Sequence, residues 1–130
     1  MESIFTKIVK GEIPCYKIAE TEECLAFLDV QPLSKGHTLV IPKKEVDFYF
    51  DLDDTLFQKV NELAKKVAQA IKKTIPCERI GVSVIGLEVP HAHVHLVPIN
   101  TISDLDFTKK RIHLNTEEFQ ALAKEISSNL

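Results

Sequence analysis

Three of the chain's five histidines fall within five residues, in Pro90-His91-Ala92-His93-Val94-His95-Leu96-Val97-Pro98, each set off from the next by one apolar residue. On an extended strand, residues i, i+2 and i+4 share a face. The three imidazoles would then stand in a row at roughly 6.6 Å intervals, with Ala92, Val94 and Leu96 turned to the core. Two chemistries use such a row. Neutral imidazole ligates zinc and related ions. Same-face histidines on one straight strand converge poorly on a tetrahedral centre, however, and no Asp, Glu or Cys lies within the segment to complete the set. The other chemistry handles an anion. Crowded imidazoles repel one another when protonated, so some stay neutral near pH 7. A neutral ring can attack phosphorus while another stabilises the phosphate or protonates the leaving group. That division of labour needs like groups whose effective pKa values are separated.

Such a row needs a sheet to carry it. Ser3 is placed to cap a short helix with Ile4, Phe5, Ile8 and Val9 on one face, ended by Gly11 and Pro14. Tyr16 to Ala19 and Cys24 to Val30 read as strands across the acidic turn Glu20-Thr21-Glu22-Glu23, and His37 to Ile41 as a central strand. A helix is predicted from about Asp53 to Thr74, where Leu56, Val60, Leu63, Ala64, Val67 and Ile71 repeat every 3.6 residues. Its acidic start and its Lys72-Lys73 end suit the helix dipole. Arg79 to Ile85 and Val89 to Ile99 are further strands. A last helix over about 115–128, capped by Asn115 or Thr116, would bury Phe119, Leu122, Ala123 and Ile126. The order predicts an α+β fold: one antiparallel sheet of about five strands, with one long and two shorter helices packed on one face.

Composition bounds the rest. With 130 residues, 45% of them apolar, the chain is expected to form one domain over 1–130. A net charge of −3 offers no basic stripe for a nucleic-acid backbone. No apolar run approaches a membrane span, and charged residues interrupt MESIFTKIVKGEIPC where a signal peptide needs apolar ones. Cys15, Cys24 and Cys77 form neither a CxxC pair nor an even set. A soluble, cytoplasmic protein is the expectation.

Four segments together resemble the histidine triad family. His91-x-His93-x-His95 with apolar spacers and Pro98 is similar to its signature, and residues 3–14 to its opening helix. Leu25-Ala26-Phe27-Leu28-Asp29-Val30 before Pro32 resembles its nucleoside-contacting strand, and Gly36-His37-Thr38-Leu39-Val40-Ile41-Pro42-Lys43 the strand with its fourth active-site histidine. The resemblance is nearest to the purine nucleoside phosphoramidase branch and spans residues 3 to about 99.

The resemblance implies that His93 attacks the α-phosphorus of a purine nucleoside monophosphate or its conjugate, forming a nucleotidyl-histidine that water then hydrolyses. His91 would assist the leaving group, His95 support the phosphate and His37 complete the wall, without metal or other cofactor. His93 is expected to be exposed enough that its removal leaves folding intact. Asp29 would hold both ribose hydroxyls, although the position also suits a turn-capping aspartate before Gln31-Pro32. Ile4, Phe5, Ile8, Phe27 and Val30 would flank the base, and also fit an ordinary core. His113 reads as a surface residue. The family pairs into homodimers through its long helix and an edge strand. This chain departs from the pattern at Val84-Ile85-Gly86-Leu87-Glu88-Val89-Pro90, where Leu87 replaces the family glutamine and the preceding asparagine is missing. Those losses make a nucleotide-binding module with weak or no turnover the alternative reading. Ser3, Thr6 and Glu45 stand where many bacterial members place Cys-x-x-Cys and a histidine, so a structural zinc is not expected.

Overall fold

The computed structural model describes residues 1–130. In chain order the elements are α1 (Ile4–Val9), β1 (Lys17–Glu20), β2 (Cys24–Leu28), β3 (Thr38–Pro42), α2 (Asp54–Thr74), β4 (Arg79–Ser83), β5 (Val94–Ile99) and α3 (Thr116–Ser128). Two 3₁₀ turns, Tyr49–Asp51 and Ile102–Leu105, precede α2 and follow β5. The strands form one antiparallel sheet in the order β1-β2-β3-β5-β4. No helix is long and apolar enough to cross a membrane.

Register sorts the side chains onto two faces. Ala26 pairs with Val40 and Val40 with Val94, while Leu28 pairs with Thr38 and Thr38 with Leu96. Ala26, Leu28, Val40, Val94 and Leu96 join α2 and α3 in the larger core cluster. The alternate row, Phe27 opposite Leu39 and Leu39 opposite His95, lies on the other face. There Phe5 of α1 packs with Leu25, Phe27, Leu39 and Ile41. The expectation that all helices share one face is therefore corrected: α2 and α3 cover one side, α1 the other. Every residue of β2 and β3 is buried in consequence, which is why both read as unbroken apolar runs.

The longer helices follow the sequence pattern. Asp53 caps α2 by accepting the amide of Leu56, and Asn115 with Glu118 forms a capping box on α3. The four expected α3 residues are buried, as are Val60, Leu63, Ala64, Val67 and Ile71 of α2. Leu56 is only partly buried.

Strand limits differ from expectation. β2 stops at Leu28 and β4 at Ser83, and β5 begins at Val94 rather than Val89. Between Val89 and His93 the backbone serves other partners: the amide of His91 turns back to the carbonyl of Val89, and that of Ala92 reaches the carbonyl of Val46. Pro90 has no N–H to offer a ladder. Only His95 of the three histidines lies in a strand.

Candidate active site

His37 arrives at the start of β3 through a tight turn. Gly36 has φ +98°, and a Cβ there would sit 3.1 Å from Ile75 and 3.2 Å from Pro98, so glycine is needed for both conformation and space. The amide of Leu33 donates to Nδ1 of His37 at 3.0 Å. In a neutral ring the proton must then be on Nε2, which lies 3.0 Å from Nδ1 of His95. His95 accepts that hydrogen bond at Nδ1 and carries its own hydrogen on Nε2. Burial, reinforced by neighbouring imidazole and Arg111 charge, holds both rings near pKa 3, neutral at pH 7.

His93 has the opposite tautomer. Its Nδ1 lies 2.7 Å from the carbonyl of His91, an acceptor only, so in the neutral ring Nδ1 carries the hydrogen and Nε2 the lone pair. The ring stands edge-on to Phe5 (5.0 Å) and to His95 (4.9 Å). The site thus pairs a nucleophilic nitrogen on His93 with an N–H donor on His95. All four histidines are buried, which corrects the expectation of an exposed His93. His91 is the outlier: fully enclosed, it bonds Ser3 Oγ through Nδ1 (2.8 Å) and the carbonyl of Pro42 through Nε2 (2.8 Å). Neither of its nitrogens is left for a leaving group.

Asp29 adopts the turn-cap arrangement, its Oδ1 accepting the amide of Gln31 at 2.8 Å. Its other oxygen lies 3.5 Å from Nε2 of His37. Burial raises its pKa, against the amide of Gln31 and the positive charge of Arg111. Phe5 and Phe27 are buried edge-to-face at 5.6 Å, with Ile8 packed against them. Ile4 of α1 stays 49% exposed, and Val30, two residues beyond the end of β2, 63%. His113 is exposed, as expected.

Sequence reasoning did not find Phe107 or Arg111. Phe107 stands edge-on to His95 at 4.7 Å and to His37 at 6.0 Å. Arg111 lies over the Phe107 ring and donates to the carbonyl of Gln31 at 2.7 Å, next to Asp29. Neither belongs to a motif. The one signal was an aromatic and a cation near each other in a polar stretch.

Asp29, His37 and His95 bring ligand-type atoms within 4.8 Å of one another. They do not suit a cation. The Leu33 amide obliges His37 to keep hydrogen on the nitrogen nearest the other two, and an N–H does not ligate.

The 84–90 loop holds Gly86 at φ +75° and leaves Leu87 89% exposed. Leu87, which the resemblance sets in place of a family glutamine, is an apolar side chain in water.

The site sets imidazoles in fixed tautomers beside a carboxylate and an apolar wall on an antiparallel sheet. The HIT domain family model matches residues 10–102, and the chain belongs to the HIT, or histidine triad, family. It is 40% identical over 132 residues to the adenosine 5'-monophosphoramidase hnt1 of Schizosaccharomyces pombe, covering 100% of this chain and 99% of that protein. A HIT-like protein structure from Bartonella henselae superposes with TM-score 0.86 at 31% identity, covering 99% and 97% of the two chains. A Zn-bound family member from Mycobacterium smegmatis gives 0.81 at 26% identity, covering 98% and 95%.

Proposed function

We propose that the protein hydrolyses the α-phosphate amide or ester of a purine nucleoside monophosphate conjugate through His93. The observation that carries this is the opposed tautomers of two adjacent rings, a lone pair on His93 Nε2 and a hydrogen on His95 Nε2. Relatives named adenosine 5'-monophosphoramidase support the substrate class. The Nε2 lone pair of His93 forms a bond to phosphorus as the bond to the leaving amine or oxygen breaks. His95 Nε2–H donates a hydrogen bond to a non-bridging phosphate oxygen, and the leaving amine or oxygen takes its proton from water. The positive charge on His93 is shared through Nδ1–H with the His91 carbonyl. Water then adds to phosphorus and expels His93 Nε2, releasing one proton to solvent. Two easier displacements replace one. Asp29 accepts hydrogen bonds from the ribose 2′ and 3′ hydroxyls, and Ile4, Phe5, Ile8, Phe27 and Val30 flank the base. Asp29→Asn should then narrow the affinity gap between AMP and 2′-deoxy-AMP.

Exposed Leu87, where the family has an amide, favours a second reading: nucleotide binding with weak turnover. Hydrolysis of adenosine phosphoramidate in EDTA separates the two. Under the first reading turnover persists, and His93→Ala lowers it by about 10³-fold or more. Labelled nucleotide is then trapped on the unmutated protein in an acid-labile, base-stable bond. Tight AMP binding without turnover selects the second reading, and His93→Ala turning over at the parent rate refutes the first.

A further inference from the structure

Ser3 and Glu45 lie at opposite ends of the N-terminal third of the chain, and both converge on His91. The Pro42 carbonyl fixes the His91 hydrogen on Nε2, leaving Nδ1 as a bare acceptor inside the protein. Two hydroxyls approach that nitrogen, Ser3 Oγ at 2.8 Å and Thr6 Oγ1 at 3.4 Å. Their hydrogens sort in one way. Thr6 Oγ1 gives its hydrogen to Glu45 Oε1 at 2.7 Å. Ser3 Oγ accepts the Thr6 amide at 3.0 Å, and its own hydrogen, with Thr6 Oγ1 at 3.3 Å as the other acceptor, goes to the nearer His91 Nδ1. Glu45 Oε1 also takes the Ser3 amide at 2.6 Å. These contacts hold its carboxyl near pKa 2 and so ionised. Ser3 is 5% exposed, and no buried side-chain polar atom lacks a partner.

The consequence reaches the reacting atom. The His91 carbonyl is what keeps hydrogen on His93 Nδ1 and the lone pair on Nε2. Phe5, two residues beyond Ser3, packs edge-on against both rings. Helix α1, His91 and His93 therefore form one mechanical unit, bolted at Ser3 and Glu45.

We propose that Ser3, held by Glu45, is a positioning residue that fixes the orientation of His91 and through it aims His93 Nε2 at the phosphate. His91 then serves as a scaffold and not as the leaving-group acid. This rests on the hydrolase reading above, yet part of its test needs no turnover. In nucleotide-free protein, ¹⁵N spectra should place His91 as an Nε2–H ring with a hydrogen-bonded Nδ1, and His93 as an Nδ1–H ring. Ser3→Ala should move the His91 Nδ1 signal to that of a free acceptor and mix the two tautomers of His93. It should lower kcat about tenfold, the effect of losing one ordinary hydrogen bond, with KM changed less than about threefold. Ser3→Thr, which keeps the hydroxyl and a capping oxygen, should restore both. Should Ser3→Ala not fold, Glu45→Ala carries the same expectation at reduced size. Unchanged ¹⁵N signals in a folded Ser3→Ala or Glu45→Ala protein overturn the proposal whether or not the chain is a hydrolase. Unchanged kcat in an active protein overturns it as well.

Discussion

His37 Nε2–H donates a hydrogen bond to Nδ1 of His95 across 3.0 Å, and the Leu33 amide leaves it no other neutral tautomer. A backbone group four residues upstream thereby decides which nitrogen of His95 bears a proton. His37→Phe keeps the ring volume and removes the donor. We expect kcat/KM to fall about a hundredfold, as for loss of an oriented donor to the phosphate. The ¹⁵N spectrum of His95 should change from one tautomer to a mixture. A wild-type rate in this variant would contradict the assignment.

Acid should unfold the protein earlier than its modest charge suggests. His37 and His95 sit near pKa 3 in the fold against an ordinary 6.5. Between those values the unfolded chain binds more protons than the folded one, so stability falls as pH drops through that window and is flat above it. Each ring contributes at most about 1.4 kcal/mol per pH unit. Melting at pH 5 should come at least about 5 °C below melting at pH 7.5. His37→Phe should show a shallower slope. Equal melting temperatures would show that the rings are not neutral and enclosed.

Arg111 places a cation beside the histidine pair without a carboxylate bridging to it. Its charge is among the causes that lower both imidazole pKa values. Arg111→Gln should move the His95 titration toward 6.5 and carry the acid limb of the rate profile upward in pH. Arg111→Lys should leave both near their original positions. Titration of the His95 Cε1 proton by NMR is the measurement, and a profile unmoved by Arg111→Gln would remove this role.

Strand β4 pairs on one side only, and Val82, Val84 and Ile85 along and just beyond it are exposed. An apolar open edge of this kind invites a second copy. We expect a homodimer at micromolar concentration by light scattering, and a monomer after Val82→Lys. A monomeric parent protein would contradict the pairing.

The long elements are legible in sequence because their signals are local. The 3.6-residue repeat from Leu56 to Ile71 and the four apolar positions of α3 each lie within one element. The alternation around the histidines correctly sends Val94 and Leu96 to the core. It fails at His91, since alternation presumes a ladder and this stretch instead bonds to Val46 and Pro42. What holds the site together is remote in sequence. Ser3 and His91 are 88 residues apart, and Arg111 is 80 from Gln31. No periodicity reports a contact of that kind.

Strands β2 and β3 are covered on both sides, whereas α1 is six residues long with one buried side chain. Their amides should therefore exchange with solvent on separate clocks. The strand amides wait for global unfolding, while those of the helix wait only for its fastenings at Ser3 and Glu45 to part. Each such opening frees His91 at the same moment, so the gap between Phe5 and Phe27 and the aim of His93 come and go together.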